Sequence, residues 1–311
     1  MNEPLRVIPI GPAEADQRLD RFLRKLLRQV PLGAIFKHLR SGRIRVDGRK
    51  AKPELRLLEG MTLELRLPDA DLPQAEAAAV RRAEPGQRRR SSLRPRVVYR
   101  DDDVVVVDKP AGLAMQSDGH SGDSLVGWLD YKQYGVRTAT FAPAPAHRLD
   151  RGTSGLVAIG LTPVALRGLT RAFREGEVDK RYLAVVHGAP EASSGTIDAP
   201  LANIEGALGH EPKMRVVASG RPARTDYEVL RSHGDRALLA LQLHSGRTHQ
   251  IRAHLRHLGC PIVGDRRYGE SGDRSGRMLL HAVELALPHP TREKTLNLRA
   301  EPGPEFGLGK R

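Results

Sequence analysis

The sequence predicts an α+β protein with a mixed sheet, and three observations carry that expectation. After Arg96, short apolar runs of strand character outnumber helical periods and follow one another in series, which favours α+β over a doubly wound fold, where the two alternate. Before residue 68, two helical periods lead into an Asp47-Gly48 turn flanked by alternating stretches. Between these regions, residues 69–95 ("DADLPQAEAAAVRRAEPGQRRRSSLRP") lose apolar periodicity and gain Ala, Pro, Ser and Arg, the composition of a linker. The expected organisation is a small domain at 16–68, a basic linker at 69–95, a large domain at 96–302 and a tail at 303–311. A chain of 311 residues is long enough for two domains.

The elements follow in order. Leu19, Phe22, Leu23, Leu26 and Leu27 recur on one helix face, while Arg18, Arg21, Arg24, Lys25 and Arg28 fill the solvent side. Pro31 breaks the chain, and "LGAIFKHLRSG" reads as a second short helix ending near Gly42. "RIRVDGRKAK" then supplies the hairpin. In the large domain, "VVYRDDDVVVVDKPAG" is a buried run closed by Lys109, Pro110 and Gly112, and "LVAIGL" is another. Thr162 and Pro163 cap a helix through Phe173. "KRYLAVV", "TDYEVL" and "ALLALQL" read as strands, and Ile251, Leu255 and Leu258 mark a helix stopped by Gly259. No internal repeat is visible.

Charge narrows the partners. The formal net charge is +14, yet 39% of residues are hydrophobic, so the excess is carried on folded surfaces. Residues 18–56 hold thirteen Lys and Arg against Asp20, Asp47 and Glu54, a local net charge of +10. A merely solvated helix face would intersperse acids, so this stretch points to RNA, with Arg18, Arg21, Lys25, Lys37, Arg43, Arg45, Arg49 and Lys50 as phosphate contacts. The pattern "RLDRFLRK...SGRIRVDGRK" and its helix, helix, hairpin order resemble the small RNA-binding domain named after ribosomal protein S4. The "RRR" at 88–90 is open to two readings, a phosphate contact or a solvated tether. No apolar run approaches the roughly 20 residues of a spanning helix, so no membrane partner is expected. Cys260, the single cysteine, has no internal disulfide partner and does not suggest a zinc cage, and the amino-terminal stretch lacks export or import features, which together predict a cytoplasmic protein.

"HRLDRGTSGL" at 147–156 is the anomaly: it sets one acid, Asp150, between Arg148 and Arg151 in a chain otherwise suited to phosphates. Two more stretches, "KRYLAVV" and "SGRTHQIRAHL", also place polar residues where packing does not request them. Singly, each has a plain explanation as a surface acid, a core ring or a helix-flanking cation. Together with "DKPAG" at 108–112, "DRRYG" at 265–269 and "LLHA" at 279–282, in this order and spacing, they closely resemble the RluA-type pseudouridine synthases, especially the RluC and RluD branch.

The resemblance implies a largely antiparallel mixed sheet and a reaction that breaks the N1–C1′ bond of a uridine in RNA, turns the base and rejoins it through C5, with neither cofactor nor metal. It implies that Asp150 is the catalytic acid, that Arg247 pairs with it and favours its ionised form, and that Tyr182 stacks on the base and helps remove the C5 proton. Arg148 would occupy the gap left by the flipped nucleotide. The acid then meets only a neutral base and its sugar, while the basic surface meets the phosphates. His249, His254 and His257 at spacings of five and three do not share one helical face and are not expected to bind metal. One departure is Gln116, where many relatives carry histidine. Large-subunit ribosomal RNA, modified by a monomer, is the expected substrate; a transfer RNA synthase, a non-catalytic ribosome-associated binder and a base-excising glycosylase are the alternatives, and the last would release free uracil.

The uneven charge generates a prediction. Affinity falls with salt at a log-log slope of about 0.7 per phosphate neutralised on single strands. A chain beginning at Arg96 is expected to bind RNA more weakly and with a shallower slope than the full chain, as filter binding across a salt series will read; an unchanged slope would remove residues 18–56 as the RNA grip.

Overall fold

The computed structural model describes every residue except 1–4, 13, 69–70, 73–92, 118–123, 130–133, 135–137, 139, 205–212, 274 and 309–311. Most of the expected linker, including Arg88, Arg89 and Arg90, therefore lies outside the described residues. The chain divides into two compact units, one of residues 1–88, 130–144 and 160–166 and one of residues 89–129, 145–159 and 167–311.

The first unit carries helices α1 (Leu19–Leu26) and α2 (Leu32–Ser41) and the strands β1 (Leu5–Pro9), β2 (Ile44–Val46), β3 (Arg49–Lys50) and β4 (Thr62–Arg66), in the sheet order β1-β4-β2-β3. All five apolar residues of the first helical period are buried, joined by Ile35, Leu39, Ile44, Leu63 and Leu65. Gly42 ends α2 in the left-handed region (φ 77°), where a side chain is strained, and Arg43 N–H bonds back to the His38 carbonyl at 3.0 Å. Asp47 and Gly48 both have positive φ (49° and 73°), the geometry of a type I′ hairpin turn. Asp47 also accepts from Thr62 N–H at 2.7 Å, which ties β4 to that turn. The pairing of β1 with β4 begins this unit at Leu5, before the residue 16 expected from composition.

The second unit is built on a ten-stranded sheet. Its strands are β5 (Arg96–Arg100), β6 (Val104–Lys109), β7 (Ala144–Pro145), β8 (Ser154–Gly160), β9 (Asp179–His187), β10 (Ser194–Asp198), β13 (Arg224–His233), β14 (Arg236–Leu243), β15 (Leu280–Pro288) and β16 (Thr295–Arg299). The main path runs β10-β13-β14-β9-β15-β8-β6-β5, with β16 on β15 and β7 on β8. Neighbours from β10 to β15 are antiparallel, as are β5–β6 and β15–β16, whereas β8 lies parallel to β15. The expected mixed, largely antiparallel α+β architecture is thus what the chain adopts. A separate ribbon pairs β11 (Leu201–Ile204) with β12 (Lys213–Val216).

Local chemistry explains the joints. Asp101 turns β5 into β6 by accepting from the N–H groups of Asp103 and Val104 at 2.9 and 2.8 Å. The short helix α3 spans Leu125–Trp128. Thr162 caps α4 (Pro163–Glu175) by accepting from Ala165 N–H at 3.2 Å, and the helix runs two residues past Phe173 before Gly176, at φ 79°, ends it. Helix α5 covers Gln250–His257. The expected tail is instead ordered at its start: a 3-10 turn at Pro304–Phe306 buries Phe306 among Val185, Val263 and Leu279, because an aromatic ring in a polar stretch gains by leaving water.

The parallel step from β8 to β15 depends on Gly155. It has φ 113°, and a Cβ there would stand 2.3 Å from the Ala282 carbonyl oxygen and 2.6 Å from its nitrogen. Backbone cannot yield as a flexible side chain would. Gly155→Ala is expected to cost on the order of 3 kcal/mol, read as a lower urea midpoint with unchanged m-value.

Candidate active site

Asp150 sits in the turn between β7 and β8, closed by Thr153 N–H donating to the Asp150 carbonyl at 3.1 Å. The "DKPAG" loop after β6 is fastened to this turn. Gly112 N–H donates to the Arg151 carbonyl at 2.8 Å, and Arg151 Nε returns a bond to the Gly112 carbonyl at 3.0 Å. The fully buried Lys109 caps the junction, its ammonium donating to the carbonyls of Leu113, Pro110 and Arg151 at 2.9, 3.1 and 3.3 Å. Burial pushes that ammonium down to about 8, and the nearby Asp150 and Asp108 carboxylates pull against the shift.

The Asp150 side chain is 18% exposed, and its Oδ2 accepts from Arg252 Nη1 at 2.8 Å. Arg252 gives its two-pronged edge to another acid: Nε and Nη2 donate to Asp265 Oδ2 and Oδ1 at 2.7 and 2.9 Å. Asp265, with no exposed side-chain surface, also accepts from the N–H groups of Arg267 and Tyr268 at 2.9 and 3.1 Å. Burial alone would raise this carboxyl; the Arg252 bonds and charge outweigh it and hold it below the ordinary range. The guanidinium lies 4.8 Å above the Tyr268 ring. The Tyr268 hydroxyl accepts from Met214 N–H at 2.9 Å and meets His249 Nδ1 at 3.1 Å, while His249 Nε2 stands 3.8 Å from Asp150 Oδ2. His249 adopts φ 52°, unusual outside glycine, at the N-cap of α5. Burial lowers its basicity, the Asp150 charge opposes that, and the ring is neutral at pH 7.

These groups border a cleft of about 580 Å³, large enough for a nucleoside, lined by Asp150, Tyr182, Arg252, His249, His147 and Phe173 among others. Tyr182 comes from β9, where its hydroxyl is held above its usual range by burial and then by the Asp150 charge, so the phenol keeps its proton. Arg148 is exposed at the cleft wall. His147 stacks on Phe173 at 4.3 Å, and its Nε2 accepts from Ala158 N–H at 3.0 Å.

The expected pairing of Arg247 with Asp150 is not what the fold makes. Arg247 lines the cleft but directs Nε to the Pro222 carbonyl at 3.0 Å, and Arg252, five residues on, takes the acid. The reason is geometric: Arg247 precedes α5, whereas Arg252 lies inside it between the buried Ile251 and Ala253. A nearly buried arginine needs a partner for its charge, and here the fold supplies Asp150 and Asp265; the sequence, with both arginines in one motif, does not distinguish them. Gln250 shapes the same loop, accepting from Ser245 Oγ and Arg247 N–H at 2.8 and 3.0 Å and donating to the Arg224 carbonyl and Thr225 Oγ1, both at 3.0 Å. His254 is a buried structural ring bonded to Thr225 Oγ1 and the Ala199 carbonyl, both at 2.9 Å. Asp265, Tyr268 and Lys109 stood inside quoted motifs, but only folding assigns them neighbours.

In the first unit, Arg21, Lys25, Lys37, Arg43, Arg49 and Lys50 are exposed. Arg18 is half-buried and grips Asp20 with Nε and Nη2 at 3.1 and 2.8 Å, and Arg45 donates to the carbonyls of Gly42 and Gly48 at 3.0 and 3.3 Å. Gln116 is exposed in a loop whose continuation, 118–123, is outside the described residues.

A largely antiparallel sheet with an acid in a nucleoside-sized cleft, carrying the motifs in this order, defines the pseudouridine synthase class. Residues 103–257 match the RNA pseudouridylate synthase family. The chain is 33% identical over 312 residues to ribosomal large subunit pseudouridine synthase C of Escherichia coli strain K12, covering 95% of this chain and 92% of that protein. It is 36% identical over 293 residues to an uncharacterized RNA pseudouridine synthase of Mycobacterium tuberculosis, MT1592, covering 92% of this chain and 90% of that one. Human RNA pseudouridylate synthase domain containing 1 is similar in structure, with a TM-score of 0.58 and 32% identity, covering 68% of this chain and 85% of its own. The chain belongs to the RluA-type RNA pseudouridylate synthases, enzymes that isomerise uridine to pseudouridine.

The half-buried histidine beside the acid gives a pH test. Burial, aided by the Lys180 charge, lowers His147 to about 3. The unfolded chain therefore takes up this proton first as pH falls, and stability is lost from about pH 6.5 downward. His147→Gln keeps an acceptor for Ala158 but no base. Between pH 6 and 4, denaturant titrations are expected to show wild-type stability falling more steeply than the variant's by about 1.4 kcal/mol per pH unit; equal slopes would mean the ring is charged in the fold.

Proposed function

We propose that this protein converts particular uridines of large-subunit ribosomal RNA to pseudouridine, in the cytoplasm and as a monomer, with Asp150 as the catalytic acid. The observation that carries the reading is Asp150 itself, a cleft acid held by one bond from Arg252 with the Tyr182 phenol close enough to feel its charge. Ribosomal RNA is favoured over transfer RNA by the names of the bacterial relatives and by the charge of residues 18–56, which fits an S4-like RNA grip.

The reaction breaks N1–C1′, makes C5–C1′, removes a proton from C5 and returns one to N1, so atoms balance without a co-reactant. Asp150 attacks or stabilises the electron-poor centre while the base is detached. Arg252 keeps the carboxylate aimed, the role first expected of Arg247. Tyr182, on the cleft wall, stacks on the base, and its hydroxyl helps remove the C5 proton. Arg148, at the cleft wall, fills the gap in the RNA stack with its planar guanidinium. The exposed cations Arg21, Lys25, Lys37, Arg43, Arg49 and Lys50 meet phosphates.

Asp150→Asn keeps size and loses charge. Its turnover is expected to fall at least ~10⁴-fold, the scale of losing a group that meets the reacting atoms, while its affinity for RNA stays within about twofold. Carbodiimide mapping of ribosomal and transfer RNA from cells with and without the protein identifies the substrate; modification confined to transfer RNA would refute the ribosomal assignment.

A further inference from the structure

The guanidinium of Arg252 faces two carboxylates and treats them unequally. Asp265 takes the Nε and Nη2 edge with both oxygens, and Asp150 receives a single bond on Oδ2. An arginine meets a lone carboxylate most favourably in a two-bonded fork, so without a competitor Arg252 would turn that fork on Asp150 and tie up both of its oxygens. With the fork engaged elsewhere, Asp150 Oδ1 accepts no hydrogen bond among the described residues, although Asp150 lines the cleft. Asp265 is well placed to hold the fork, since it has no exposed side-chain surface and is fixed by the N–H groups of Arg267 and Tyr268 as well as by Arg252. The Tyr268 ring below the guanidinium limits its tilt. Charge points the same way. One cation shared by two acids leaves the trio with a net negative charge, so Asp150 is oriented without being neutralised.

We infer that Asp265 is a positioning residue for the isomerisation: by occupying the fork of Arg252 it restricts Asp150 to one hydrogen bond and leaves Oδ1 free to meet the substrate. The inference rests on the assignment of Asp150 as the catalytic acid. It gives the buried acid of "DRRYG" a function in the chemistry rather than in folding alone.

The test uses the full chain and bulk ribosomal and transfer RNA containing 5-tritiated uridine, whose tritium is released at each turnover. Single-turnover rate constants at saturating enzyme do not depend on the fraction of molecules folded, so a purely structural role would leave them unchanged. Asp265→Asn, which loses the charge and one acceptor, is expected to lower that constant on the order of 100-fold, with RNA affinity within about twofold. In an Arg252→Lys background, where no fork exists, the same change is expected to cost less than about threefold, because Asp265 acts through Arg252. A wild-type rate constant in Asp265→Asn, or an undiminished loss in the Arg252→Lys background, would overturn the inference. If Asp265→Asn does not fold, Asp265→Glu retains the charge but displaces the fork by a methylene; a rate lowered about 10-fold supports the inference and a wild-type rate overturns it. Failure of the underlying assignment is distinct, since Asp150→Ala would then remain active while these Asp265 results stood.

Discussion

One guanidinium organises the centre of this enzyme. Arg252 is nearly buried, and a buried cation is tolerated only when its charge and its N–H groups are met. Asp265, Asp150 and the Tyr268 ring meet them from three directions. Because α5 carries the cation, the turn before β8 carries one acid and the loop before β15 carries the other, the arrangement forms only when distant parts of the chain have arrived together.

The same economy of buried polar groups runs outward from the site. Lys109 is covered by backbone carbonyls and so welds the "DKPAG" loop to the Asp150 turn. Gln250 has each of its side-chain hydrogen-bonding atoms engaged and thereby sets the loop that ends in the left-handed His249. That backbone conformation costs on the order of 1 kcal/mol, and it persists because the Tyr268 hydroxyl and the start of α5 over-determine it. The strained residue faces the Asp150 carboxylate, with its Nε2 3.8 Å from Oδ2.

Electrostatics separates two roles that at first sight conflict. The strongly basic stretch at 18–56 belongs to one compact unit, and the cleft with its acid belongs to another. On the proposed reading, a uridine extruded into the cleft brings a neutral base and sugar to Asp150, while the basic stretch meets the phosphates. At the cleft, burial raises the Tyr182 phenol and lowers the His147 and His249 rings, so Asp150 is the acid among a lining that also carries Arg148, Arg174, Lys180, Arg247 and Arg252.

How much of this was legible in the sequence depends on the range of the interaction. Period and turn chemistry are local, so α1, α2, the Asp47-Gly48 hairpin, β8 and α5 could be read directly from apolar spacing and from the residues that tolerate positive φ. The motif set likewise identified the family and the reaction, because a run such as "HRLDRGTSGL" carries its information in order and identity alone. Strands β1 and β4 are short and polar on one face, and their pairing with each other, and of β4 with β2, makes them strands. The burial of Phe306 likewise needs a surface that exists only after the sheet forms. The choice between Arg247 and Arg252 was also beyond the sequence: both lie in one seven-residue motif, and which of them reaches Asp150 is decided by where α5 begins and by an acid thirteen residues further on, Asp265, that folding brings to the other side of the guanidinium. The sequence by itself determined the helices, the hairpin, the charge and the family; the tertiary structure decided which cation bonds to Asp150, because hydrogen-bond geometry between residues distant in the chain exists only in the folded state.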